Sequence, residues 1–384
     1  MDEDSREKKI ERIAIVTFHR TGNYGAALQS FALQTVLSRQ FDVDILDYRN
    51  EYLEKLYSRK NYSVKDKTRL IARRIVYPLK TSQLEKRKKR FDNFYQKFHH
   101  LSSNVYDAGN ISEATNIYDA FIAGSDQVWN PHLSRNDWNY FLEFAPTEKR
   151  FSYAASINTN NNGETNERMR KDLSEFQSIL VRENKTIPFL ESIEVKKHAF
   201  AVCDPVFLMT TDEWGKVLSL GDIHNKGKHV LLYTVANVKE SLNFANELAK
   251  ENNLPVVSIG SNQSVKTVDG VTNILDAGPI EFLRYIQEAA FVVTSSFHAM
   301  AFSIIFNIPF YYELCQDGSN NNDRLENVAD VLHLKNRNIS CIQSNSNLDD
   351  IDWNEVNLLL GRYRDASLKC LFDSLNGIRG ESDE

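Results

Sequence analysis

The chain reads as an α/β protein of two domains, each a mostly parallel, doubly wound sheet. Short apolar runs of strand length alternate with helical patterns along it. The alternation starts again after Asp204-Pro205, and 384 residues are too many for one ordinary core. The expected units are 1–210, 211–345 and a C-terminal helix over 346–384 that crosses back to the first lobe, with the boundary between lobes near 205–225.

The formal net charge of −6 and the lack of an arginine-rich or aromatic-interleaved surface exclude a dedicated nucleic-acid binder. Met1 to Lys9 is charged and leads into a strand with no apolar signal core, so a cytoplasmic protein is expected. Cys203, Cys315, Cys341 and Cys370 show no metal-like spacing, and the expectation is free thiols and no bound metal.

Ile13 to Phe18 is a buried strand. His19 to Gln29 is a glycine-rich turn into a helix whose apolar residues include Leu28, Phe31, Leu33 and Val36. Asn23 and Gly25 sit where backbone amides can approach an anion or a sugar hydroxyl, although many αβ units need glycine for packing alone. The spacing is neither the dinucleotide fingerprint nor a P-loop. Val43 to Tyr48 completes a βαβ unit.

From Lys65 to Arg90, eleven basic residues face only Asp66 and Glu85. Leu70, Ile71, Ile75, Val76 and Leu79 add an apolar stripe, broken by Pro78, before a second basic helix to about His99. A solvated helical hairpin and a segment drawn to an anionic membrane surface both fit.

Tyr118 to Ala123 is a strand with Asp126 and Gln127 at its carboxyl end and Trp129 beside them. An Asx turn explains the aspartate, whereas a ligand site would use its carboxylate and the flat indole face of Trp129 under a sugar ring. Strands over 150–156, 178–182 and 200–203 and a helix over 164–176 follow, delivering Arg182-Glu183 and Asp204. In the second half, strands are expected at 230–235, 255–259, 291–293 and 309–312, and helices at about 239–251, 279–289, 297–306 and 323–333. A polar loop over 316–323 precedes Arg324. A long amphipathic helix follows residue 351.

The most informative stretch is Val292 to Phe310, a strand, a polar turn and an apolar helix in succession. Thr294, Ser295 and Ser296 supply the N-cap, and His298 follows at a helix start, where unpaired amides favour phosphate or carboxylate. A plain cap with a structural histidine fits the pattern equally well.

Gly22-Asn23-Tyr24-Gly25-Ala26-Ala27-Leu28-Gln29, Gly124-Ser125-Asp126-Gln127-Val128-Trp129-Asn130-Pro131, Ser152 to Ser156, Asp204 to Leu208 and Ser295-Ser296-Phe297-His298 together resemble the polysaccharide pyruvyl transferase family. The resemblance runs from residue 13 to about 335. It implies two Rossmann-like lobes similar to the GT-B glycosyltransferase fold. It also implies transfer of pyruvate from phosphoenolpyruvate to two hydroxyls of a sugar, as a cyclic ketal, with no cofactor. The acceptor implied is a glycan or lipid-linked oligosaccharide, such as galactose bridged at its 4- and 6-hydroxyls, in a cell-surface or capsular polysaccharide precursor.

Many members have Asp-Ser-Phe-His-Gly-Thr where this chain has Ser295-Ser296-Phe297-His298-Ala299-Met300, and others place an arginine two residues before the histidine. Here that position is Ser296, so Arg182 and Arg324 are the cations left for the donor, with Ser295 and Ser296. In this reading His298 is the acid or acid/base and Asp126 the base or hydroxyl holder. Asn23, Gly25, Gln29, Gln127 and Trp129 form the acceptor side. A nucleotide-sugar-dependent glycosyltransferase and a non-catalytic glycan-binding relative are the rival readings.

Overall fold

The computed structural model describes residues 9–53, 78–159, 161–221, 227–235, 240–260, 270–315, 322–342 and 350–377. Residues 65–77 of the basic segment and most of the polar loop before Arg324 lie outside this set.

In the first lobe, β1 (Arg12–Val16) is the centre of a five-stranded parallel sheet. Around it stand β2 (Asp42–Tyr48), β3 (Leu101–Tyr106), β4 (Ala120–Ala123) and β6 (Arg150–Ser152), in the order β3-β2-β1-β4-β6. The unbroken apolar runs of β1 and β4 follow from burial on both faces. Helix α1 (Tyr24–Leu37) is buried on every side except at Thr35. Helix α2 (Pro78–Phe98) starts at the proline that broke the basic segment, a residue suited to the first helical position.

The first half does not make the single sheet expected from sequence. Residues 150–156 are two strands, β6 and β7 (Ala155–Ile157), and the polar run after β4 is itself a strand, β5 (Asp126–Trp129). With β8 (Ile179–Val181) and β9 (Ala199–Ala201), β5 and β7 form a separate parallel sheet in the order β5-β7-β8-β9. Two neighbouring chains cross together from one sheet to the other. Ala123 pairs with Ser152 in the first, and Asp126 with Ala155 in the second. The crossing needs glycine at 124: its φ is +121°, and a Cβ would lie 2.3 Å from the Tyr153 carbonyl oxygen. Helix α3 (Gly163–Ser174) links β7 to β8.

The second lobe is a five-stranded parallel sheet in the order β12-β11-β10-β13-β14. Its strands are β10 (Val230–Tyr233), β11 (Val256–Ile259), β12 (Val271–Ile274), β13 (Phe291–Thr294) and β14 (Phe310–Tyr312). Strand β12 escaped the sequence reading because only half of its residues are apolar and none is buried. Its helices are α4 (Thr211–Leu218), α5 (Glu240–Glu251), α6 (Pro279–Glu288), α7 (Phe297–Ile305) and α8 (Asn322–Val331). The architecture is thus α/β with two Rossmann-like lobes, the first carrying an additional parallel sheet.

One apolar core runs through both lobes. Tyr24 at the start of α1 stacks on Phe282 of α6 at 4.5 Å, and its hydroxyl donates to the Ala277 carbonyl at 2.8 Å. Helix α9 (Trp353–Leu375) touches the first lobe through Phe372 on Phe41. It also meets the chain near the lobe junction, where Arg364 Nε donates to the Phe207 carbonyl at 2.6 Å.

Candidate active site

Two helix starts, one from each lobe, face each other across a cleft of about 350 Å³. On the first lobe, Asn23 is the extended N-cap of α1, its Oδ1 accepting from the amides of Gly25 (2.8 Å) and Ala26 (3.2 Å). On the second lobe, β13 ends at Thr294, whose Oγ1 donates to the Tyr233 carbonyl at 2.5 Å and accepts from the Ser296 amide at 2.9 Å. Ser296 then caps α7, and Ser295 Oγ accepts from the Val235 amide at 3.1 Å. Both helix starts carry partial positive charge toward the same space.

His298 stands between them. A Cβ built on Gly25 would lie 2.0 Å from its Nδ1 and 2.3 Å from its Cε1, so the imidazole rests directly on the Gly25 backbone. The glycine of the turn is therefore required by the histidine of the opposite lobe. His298 is only 8 % exposed, its Nε2 has no hydrogen-bond partner, and Asp204 Oδ2 is 3.8 Å away.

Beside it lies a buried charge cluster. Arg182 Nη1 donates to Asp204 Oδ2 at 2.7 Å and its Nε to Glu183 Oε1 at 3.1 Å, and Ser156 Oγ donates to the same Glu183 oxygen at 2.6 Å. Asp126 Oδ1 is 3.7 Å from Arg182 Nη2 and 4.0 Å from Arg324 Nη1. Burial works against the charge of Arg182, but Glu183, Asp204 and Asp126 outweigh it and keep the guanidinium charged. Burial also opposes the Asp126 carboxylate, yet Arg182, Arg324 and then His298 hold its pKa below the ordinary value. For Arg324, burial and then Arg182 lower the pKa. Burial first of all pushes His298 down to about 4, the two carboxylates opposing and the two arginines reinforcing the shift. At neutral pH the site thus holds an ionised Asp126 and a neutral imidazole.

Because the native protein binds fewer protons at His298 than the unfolded chain between pH 6.5 and about 4, stability must rise with pH through that window. The wild type is expected to lose about 2–3 kcal/mol from this group as pH falls from 7 to 4. His298→Asn lacks that loss, so the stability difference between the two proteins should shift by the same amount. Urea unfolding at both pH values measures it, and a pH-independent difference would contradict a buried neutral histidine.

Of the residues singled out from sequence, Asn23, Gly25, Asp126, Gln127, Ser295, Ser296, His298 and Arg324 line this cleft. Three do not. Arg182 is buried, bonded to Asp204 and Glu183, with its Nη2 3.7 Å from Asp126. Gln29 is fully buried, its Nε2 donating to Thr17 Oγ1 and the Ala26 carbonyl. Trp129 is 0 % exposed, donates to the Tyr140 carbonyl and stacks on Phe141 at 5.9 Å, so no sugar ring reaches its face. Residues 126–129 form a strand of their own whose Trp129 end lies in the core. Sequence reading missed the aromatic wall of Tyr24, Tyr233 and Phe282. Tyr24 was within reach, since it sits inside the glycine-rich turn.

The basic helix α2 turns part of its charge inward rather than to solvent. Arg87 donates to the Gly22 carbonyl at 2.7 Å and to Tyr24 Oη at 3.1 Å, gripping the turn that carries Asn23 and Gly25. Arg90 meets Asp276 and Glu281 of the second lobe, each at 3.2 Å, and Lys86 meets Asp276 at 2.8 Å. Arg90 and Lys86 thus tie one lobe to the other, while Arg87 braces the turn within the first. Among the described residues no helix is long and apolar enough to cross a membrane, and no cluster of His, Cys, Asp or Glu is arranged to hold a metal ion.

The family model for polysaccharide pyruvyl transferase matches residues 23–312, which span both helix starts of the cleft. No curated protein sequence matches the chain. Among solved structures, the chain is similar to a UDP-GlcNAc 2-epimerase from Methanocaldococcus jannaschii, with 12% identity, 91% of this chain and 99% of that one covered, and a TM-score of 0.46. It is similar also to the UDP-GlcNAc 2-epimerase from Neisseria meningitidis, with 12% identity, 96% of each chain covered and a TM-score of 0.44. An alpha-glucosyltransferase in complex with UDP overlaps at 9% identity, over 98% of this chain and 97% of that one, with a TM-score of 0.48. Likenesses this distant carry no functional weight.

Proposed function

This chain belongs to the polysaccharide pyruvyl transferase family, and we propose that its cleft transfers pyruvate from phosphoenolpyruvate to two hydroxyls of one sugar, forming a cyclic ketal. The observation that carries this reading is His298, buried between two facing helix starts in a cleft that Arg324 also lines. An enol phosphate brings two anionic groups into that space. Arg324 and the two helix starts are placed to hold them, and their negative charge favours the imidazolium that burial alone disfavours.

The proton balance suits a single relay group. The methylene carbon of the donor takes one proton, the first sugar hydroxyl adds to the neighbouring carbon, and the second displaces phosphate from it. Of the two hydroxyl protons released, one ends on the new methyl group and the other on the departing phosphate. His298, neutral when the site is empty, accepts a proton and passes it on. Asp126, held ionised, is a weak base and a strong hydrogen-bond acceptor, suited to orienting a hydroxyl. Asn23 and Gln127 line the same side of the cleft, and Arg182 acts through Asp126 as a positioning residue.

Incubation with phosphoenolpyruvate and a panel of neutral and lipid-linked galactosides, following phosphate release and the mass gain of a pyruvate ketal, tests this directly. Turnover with a UDP-sugar instead would overturn it. Loss of a charge-assisted hydrogen bond costs about 1.5–3 kcal/mol. Arg324→Gln should therefore raise the Michaelis constant for phosphoenolpyruvate by roughly 10- to 100-fold. A donor affinity untouched by that change, measured by calorimetry, would remove Arg324 from the donor site.

A further inference from the structure

Beside the cleft, in the loop that leaves β1, lies a second polar recess of about 20 Å³. Phe18, Thr21 and Leu53 line both it and the cleft, so the two adjoin. Its base is a charge cluster at the end of β2. Asp47 is buried and accepts two guanidinium forks, from Arg20 (3.0 and 2.8 Å) and from Arg49 (2.8 and 3.0 Å), with His19 Nε2 at 3.4 Å. Burial opposes the Asp47 carboxylate, but His19, Arg49 and Arg20 hold it ionised, far below the usual range.

Arg20 spends its Nε and one N–H of Nη2 on Asp47, and the far edge of its fork belongs to a side chain still 39 % exposed. The fork is held rigid from behind, which removes much of the ordering cost of binding a ligand. The independent sign of a ligand is Thr21. It is 7 % exposed, its Oγ1 has no hydrogen-bond partner, and it lines both cavities at their junction. Its own carbonyl is pinned by Tyr95 Oη at 2.5 Å. Asp137, a carboxylate near the recess, is occupied by Tyr48 Oη at 2.6 Å and Asn50 Nδ2 at 2.7 Å. A buried hydroxyl left unpaired is costly unless something completes it.

We propose that this recess is an anion subsite for the acceptor, so that the sugar accepting pyruvate carries a negatively charged substituent, with Arg20 and the Thr21 hydroxyl as its ligands. The proposal rests on the reading of the first lobe as the acceptor side. Room of this size admits the oxygens of a carboxylate or phosphate group and no second sugar ring.

Calorimetry without phosphoenolpyruvate, using methyl galactoside, galactose 1-phosphate and methyl galacturonide, separates this from the transfer reaction itself. At least one anionic sugar is expected to bind ten times or more tighter than methyl galactoside. The advantage should vanish in Arg20→Gln, persist in part in Arg20→Lys and weaken in Thr21→Val, which leaves the Asp47 cluster intact. The better of the two anions tells a phosphate source from a carboxylate. If neither binds more tightly than methyl galactoside, or the advantage survives both Arg20→Gln and Thr21→Val, the subsite is wrong. Ketal formation from phosphoenolpyruvate on a neutral acceptor would then still stand.

Discussion

His298→Ala is expected to lower kcat by about 10²–10⁴-fold, the range over which a positioned acid/base group contributes. The variant should still fold, because His298 is 3.8 Å from Asp204 and its Nε2 has no hydrogen-bond partner to lose. It should still bind phosphoenolpyruvate, since Arg324 and the helix starts remain. A drop in kcat with near-normal donor affinity separates a proton-transfer group from a binding group. Turnover within a few-fold of wild type would show that another residue moves the protons.

Gly25→Ala makes the second large prediction, and its sign is the opposite of what helix propensity suggests. In the first turn of a helix, alanine in place of glycine normally stabilises by up to about 1 kcal/mol. Here the new Cβ would fall 2.0 Å from His298 Nδ1, at the wall of the cleft, and one of the two must move. Overpacking of this kind costs about 1–3 kcal/mol. Displacing the imidazole by an ångström should cost on the order of 10²-fold in kcat/KM. Thermal unfolding and steady-state kinetics check both, and a stabilised, fully active Gly25→Ala protein would refute the contact between the lobes.

The lobes were legible because their central strands are apolar and their helices periodic: β1, β4, β10 and β13 are buried along most of their length. Both helix starts were legible as well, since Asn23 and Ser296 are cap residues directly before apolar helices. The step from one sheet to another was not. It depends on the backbone at Gly124 and Ala154, at φ of +121° and +48°, and no period in side-chain polarity reports that. Once that step was missed, Trp129 was given to the ligand and not to the core. The same limit applies to charge. The arginines of α2 look like a solvated face in sequence, because Asp276 and Glu281, which Arg90 meets, lie more than 180 residues downstream. Arg182 is legible as a cation near the site, but the three carboxylates around it, Asp126, Glu183 and Asp204, come from distant parts of the chain or from its neighbour and hold it buried.

The central claim is that a dianionic enol phosphate enters this cleft and charges a histidine that burial keeps neutral. Calorimetry of phosphoenolpyruvate binding at pH 7, repeated in buffers of different ionisation enthalpy, measures the protons taken up. The wild type is predicted to take up close to one more proton per site than His298→Asn binding the same ligand. Equal proton uptake by the two proteins, or no binding of phosphoenolpyruvate to the wild type, would contradict it.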